Sequence, residues 1–137
     1  MRIRQVVAVA VFALMVVVLP LRNGVVSAHH SRAHYESADK EVTLTGTVME
    51  YRWRNPHVFV VWSVKDSGKV VDWIGELSSV QTSISDGMTR NSLKPGDVIT
   101  VRALPARSGT PEALIRKMVK ADGTVVVDLT PQNARER

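Results

Sequence analysis

The sequence predicts an all-β domain: an antiparallel barrel of five to six strands with one short helix between strands three and four. Three observations lead there. Short apolar runs alternate with polar residues and are separated by turn signals rich in Gly, Pro and Asp, and one stretch alone loses that alternation. Five of the seven aromatic residues fall between Tyr51 and Trp73, which concentrates the core there. There is no cysteine, so the domain must be held by packing alone, and thiol catalysis, thiolate metal sites and lipid attachment through cysteine are excluded.

The first 28 residues are set apart from this domain. Arg2 and Arg4 precede an unbroken apolar run from Val6 to Leu19, and Val26-Ser27-Ala28 supplies a cleavage pattern, so a secretory signal peptide cut after Ala28 is expected. The run is shorter than the roughly 20 residues a spanning helix needs, and Pro20 and Gly24 follow it, so no stable membrane anchor is expected after cleavage. The expected product is periplasmic or secreted. Three of the 18 basic residues lie in this leader and none of the 13 acidic ones, so the formal charge of +5 becomes +2 without it. A charge that small does not argue for nucleic acid as a partner.

His29 to Lys40 reads as a polar, extended and partly mobile arm carrying three of the four histidines. From Glu41 the pattern alternates: Val42, Leu44, Gly46 and Val48 share one parity, whereas Tyr51 and Trp53 continue on the other. A bulge or a kink at Gly46 would reconcile them, as in a long strand bending round a small barrel. Pro56 lacks an amide hydrogen and holds Asn55 extended, so strand pairing should break at a corner there. The second strand starts at His57, with Val58, Val60, Trp62 and Val64 on one face. Asp66-Ser67-Gly68-Lys69 is a turn, and Val70–Leu77 returns as the third strand.

Ser78–Arg90 reads as the helix, with Val80 and Ile84 four apart and Gly87 to end it. Leu93-Lys94-Pro95-Gly96-Asp97 is a tight turn into a fourth strand, Val98–Ala106. Thr110 to Gly123 is contested. Thr110, Pro111 and Glu112 form a helix start, yet Ala121-Asp122-Gly123-Thr124 before three valines reads as a hairpin whose first arm is Leu114–Lys120. The barrel domain is placed at 41–130, with a frayed tail at 131–137.

Three strands, a helix, then two or three more strands match the order of an oligonucleotide/oligosaccharide-binding (OB) barrel, whose closure removes sheet edges. The residues His29-His30-Ser31, Leu44-Thr45-Gly46-Thr47-Val48, Trp53-Arg54-Asn55-Pro56-His57-Val58, Trp73 to Leu77 and Thr89 to Asp97 together resemble a family of small exported bacterial proteins catalogued only as a domain of unknown function. The resemblance spans nearly the whole mature chain. It departs at Phe59, where Trp or Tyr is usual nearby, and at Met88, where Trp often follows the glycine. It implies an OB-like barrel and a strand at Leu114–Lys120, and it implies no activity.

Two sets of residues carry chemistry. Cleavage after Ala28 would give His29 a free α-amine, which with its own Nδ1 chelates one metal ion in a six-membered ring. The ordinary amine pKa of about 8 leaves part of it neutral. His57, or less directly His34 or His30, would complete a nitrogen set suited to copper ahead of zinc, an arrangement that resembles a histidine brace. The second set is the aromatic surface of Tyr51, Trp53, Asn55 and Phe59, a metal-free site for a small ligand, glycan or exported protein partner. Trp62 and Trp73, by contrast, share their parity with core Val and Leu. Asp72 and Glu76 lie roughly 13 Å apart along one strand, too far for an acid/base couple. No Ser-His-Asp order, P-loop, dinucleotide fingerprint or His-Glu-x-x-His occurs, so the sequence offers no catalytic set and reads as an exported binding or accessory module.

Overall fold

The computed structural model describes residues 31–131. The expected leader, its cleavage point, His29, His30 and the tail beyond Pro131 lie outside the described residues. Six strands, β1 (Val42–Arg52), β2 (Phe59–Asp66), β3 (Lys69–Glu76), β4 (Val98–Pro105), β5 (Glu112–Lys120) and β6 (Val125–Asp128), form one sheet in the order β3-β2-β1-β4-β5-β6. A parallel pairing of β3 with β5, Ile74 with Glu112 through Glu76 with Leu114, closes the first five into the OB-like barrel, and β6 adds one further strand. A short helix, Val80–Ser85, lies between β3 and β4 as expected; a single helical turn, Ser31–His34, precedes the barrel and is α1, so the former is α2.

The change of parity in β1 occurs at a bulge: Val48 pairs with Trp62 and Glu50 with Val61, leaving Met49 as the extra residue. Gly46 has a separate part, because a Cβ there would collide with the Ser63 carbonyl of β2. The strand passes its neighbour too closely for any side chain. Val58, Val60, Trp62 and Val64 point inward as their alternation requires, and Trp62 is 0 % exposed at the centre of the core with Ile99, Val101, Ile115 and Met118. Each such side chain contributes about 1.5–3 kcal/mol by leaving water. Trp73 is partly buried against this cluster, its ring centroid 6.3 Å from that of Trp62, and Met88 is fully buried.

Helix α2 is shorter than the expected Ser78–Arg90. The Ser79 side chain caps it by accepting from the Thr82 amide at 3.3 Å, and Gly87, at φ 86°, ends it with a left-handed residue. Val80 packs on the core but Ile84 is 51 % exposed, and Ser83 takes the buried position instead. The buried face therefore runs along i and i+3.

The contested segment is a strand. Its local helix-start signals lose to long-range pairing: the Ile74 amide donates to the Pro111 carbonyl at 2.9 Å, and Ala113, Ile115 and Met118 fill the barrel. Within β5, Arg102 faces Lys117 while Ala103 faces Ile115, so Arg116 is the extra residue of a bulge. The described part of the arm is less extended than the sequence predicts, with helical turns at Ser31–His34 and Ala38–Lys40. Tyr35 is 5 % exposed and bridges Ala106; the Glu36 amide donates to the Pro105 carbonyl, and Arg107 donates its amide to the His34 carbonyl and its Nε to that of Tyr35. One buried aromatic ring and three backbone-directed bonds dock the segment from His34 onto the barrel.

Candidate functional site

The Asn55–Pro56 peptide is cis, and His57 follows at the corner between β1 and β2. The next residue ties that corner to the end of β3: the Val58 amide donates to the Ser78 carbonyl and the Leu77 amide to the Val58 carbonyl. This doubled bond sets His57 beside Glu76, and the His57 Nδ1 contacts Glu76 Oε1. Glu76 Oε2 accepts from the Tyr35 hydroxyl at 2.5 Å. One nearly buried carboxylate thus joins the corner to the N-terminal arm, with both oxygens engaged. Burial first, and then the bond to Glu76, push the Tyr35 phenol well above its ordinary pKa, so it stays a donor. Beside it the His34 Nε2 lies 2.9 Å from Glu112 Oε2, and its ring meets the Tyr35 ring edge-on at 4.9 Å.

A cleft of about 180 Å³ opens at this place. His57, Glu76, Ser78 and Arg116 are its polar boundary; Leu77, Leu114, Ile115 and Leu129 are its apolar wall. The Arg116 Nε is buried without a hydrogen-bond partner among the described residues. The leucines and isoleucine exclude water from one side, which strengthens any polar contact made at the other.

Of the expected metal ligands, His57 and His34 are both placed close to the docked arm, each held by a carboxylate. His57 keeps its Nε2 without a partner among the described residues, whereas His34 uses Nε2 on Glu112 and has only Nδ1 left. Among the described residues no group of three His, Asp or Glu could hold a metal ion. His29 and His30 lie outside those residues.

The expected aromatic surface flanks the corner, and two of its polar atoms, the Tyr51 hydroxyl and Asn55 Oδ1, are already bonded. The Tyr51 and Trp53 rings lie 5.7 Å apart and pack on the core, and the Tyr51 hydroxyl donates to the Thr89 carbonyl at 3.0 Å. Asn55 Oδ1 accepts from the Val80 amide at 3.1 Å, tying the corner to α2. Phe59, half-buried on β2, stands 6.5 Å from the His57 ring and links the two sets.

Sequence reasoning did not find Tyr35, Ser78 or Arg116, and it measured Glu76 only against Asp72 of its own strand. Asp72 instead bonds Ser63, and the partners of Glu76 come from two other segments. A signal for Tyr35 existed, since it is the one aromatic residue in an otherwise polar arm. None existed for Arg116, whose position depends on a bulge.

No curated protein matches the chain. The docked Tyr35, the Asn-Pro-His corner, the glycine that lets β1 cross β2 and the Lys-Pro-Gly-Asp turn all fall within residues 18–125, which match the model of a family of unknown function, DUF6152, and the chain belongs to that family.

Proposed function

We propose that this chain is an exported binding module that holds a metal ion, copper ahead of zinc, between the His57 Nε2 and the α-amine and ring of a mature N-terminal His29. The observation that carries this reading is the Glu76 carboxylate shared between His57 and Tyr35. A ligating histidine ordinarily donates its other ring nitrogen to a carboxylate, which fixes the tautomer and aims the free nitrogen. The same carboxylate anchors the arm that leads to His29. His29 lies six positions before Tyr35, so even a fully extended chain keeps the terminus within about 22 Å of the Tyr35 backbone. The described residues provide fewer than three ligands, so the site needs donors from the segment before Ser31.

Calorimetric titration of Cu(II) tests this on two forms, one beginning at His29 and one carrying an extra glycine before it. The first should bind at least tenfold more tightly, because the added residue turns the amine into an amide. Equal affinity, or no binding by either, would end the terminal-amine site.

A metal-free reading rests on the Tyr51–Trp53 ring pair, half-buried beside Phe59 and Asn55, as a platform for a sugar, a small ligand or an exported protein partner. It requires tryptophan fluorescence to respond to the partner and Trp53→Ala to abolish that response in a folded domain.

A further inference from the structure

We infer that the cleft between the end of β3 and the bulge of β5 binds a small organic monoanion, its carboxylate on the Arg116 guanidinium and Ser78 hydroxyl and its short aliphatic part on Leu77, Leu114, Ile115 and Leu129. The site uses neither His29 nor the His57 Nε2 and does not rest on the metal reading.

Three observations converge. First, Arg116 is the extra residue of a bulge, and a bulge re-aims a side chain away from the strand's regular faces; here the side chain lines the cleft. Second, the other two basic residues of β5 have carboxylate partners, Lys117 with Asp128 at 2.7 Å and Lys120 with Asp97 at 3.1 Å. Arg116 has none among the described residues, and its Nε is buried without an acceptor. An orphaned buried donor costs on the order of 1–3 kcal/mol, so the guanidinium is held in place without the internal acceptor that would satisfy it. A guanidinium is also the side chain best shaped for a carboxylate, through two parallel bonds.

Third, the neighbouring carboxylate does not neutralise it. Both oxygens of Glu76 are held by His57 and Tyr35. Its charge remains at the cleft wall, however, and penalises a second negative charge on the ligand, so a monocarboxylate is favoured over phosphate. The cleft volume of about 180 Å³ is room for a carboxylate and a few methylenes. The four apolar side chains form the wall such a tail would cover.

The test uses the chain as secreted, freed of metal on a chelating resin, with sodium pentanoate, pentanamide and inorganic phosphate as probes in calorimetry and thermal unfolding. Pentanoate should bind and raise the melting temperature, with pentanamide and phosphate at least tenfold weaker. Arg116→Gln should lower pentanoate affinity at least tenfold, and Arg116→Lys, which keeps the charge but not the fork, several-fold. The glycine-extended form that abolishes the metal site should bind pentanoate as before, which separates failure of one site from failure of the other. Equal binding of acid and amide, tighter binding of phosphate, or no heat and no thermal shift with pentanoate would overturn the inference. Should Arg116→Gln not fold, unchanged pentanoate affinity in Arg116→Lys would overturn it equally.

Discussion

The two ends of the Asn-Pro-His corner are built from similar residues and differ in what they leave unbonded. On the aromatic side, Tyr51 donates to Thr89 and Asn55 Oδ1 accepts from Val80, so these two polar atoms of the expected ligand surface brace the fold. On the other side, Glu76 gathers Tyr35 and His57, yet the His57 Nε2 and the Arg116 Nε remain without partners among the described residues. Bonded polar groups specify a fold; oriented but unbonded ones are available to a ligand. The contrast leaves oriented, unbonded polar groups at the cleft and bonded ones at the aromatic side.

Glu76→Ala should break the comparison most severely. It leaves a buried phenol and an imidazole nitrogen without their acceptor, and we expect a loss of about 3 kcal/mol in denaturant unfolding, with new protease sensitivity around Tyr35 as the arm undocks. A loss under about 0.5 kcal/mol would mean that the arm is held without this carboxylate.

A smaller effect is expected at Asp128, beside the cleft residue Leu129. Burial acts to raise its carboxyl, but the bonds from Lys117 and Thr130 outweigh that and hold it down to about 2. Because the folded value lies below the unfolded one near 3.9, this stabilisation is complete above about pH 4 and is lost as pH falls towards 2. Asp128→Asn should therefore cost about 1–2 kcal/mol at pH 7 and much less at pH 2, read from unfolding midpoints across that range. An equal loss at both pH values would contradict the assignment.

The smallest change sharpens the other side. Tyr51→Phe removes one hydroxyl bonded to the Thr89 carbonyl and should cost about 1 kcal/mol while leaving copper and pentanoate affinities unchanged. A tenfold change in either affinity would move the binding surface to the aromatic side.

The barrel was legible because its signals are local and periodic. Alternation in β2 located Val58, Val60, Trp62 and Val64, and the turn residues located the hairpins, where Gly68 and Gly123 adopt φ near 83° and 87°. Local reading misled where a distant pairing decides: Thr110-Pro111-Glu112 looks like a helix start and is a strand start because β3 and β4 lie alongside it. The candidate site was half legible. His57 announces itself through Asn55-Pro56, but Glu76 has meaning only beside Tyr35, which lies 41 residues earlier in the chain. Arg116 depends on one residue of slippage between β4 and β5, which no periodicity encodes.

The proposed metal site depends most directly on His57, and copper affinity with and without its ring is the decisive quantity. Cu(II) calorimetry on the form beginning at His29, paired with the melting temperature of the metal-free protein, should show His57→Ala binding at least tenfold more weakly than the parent, with Glu76→Gln between the two. Unchanged copper affinity in His57→Ala together with a lowered melting temperature would make this histidine a brace for the corner and contradict the account.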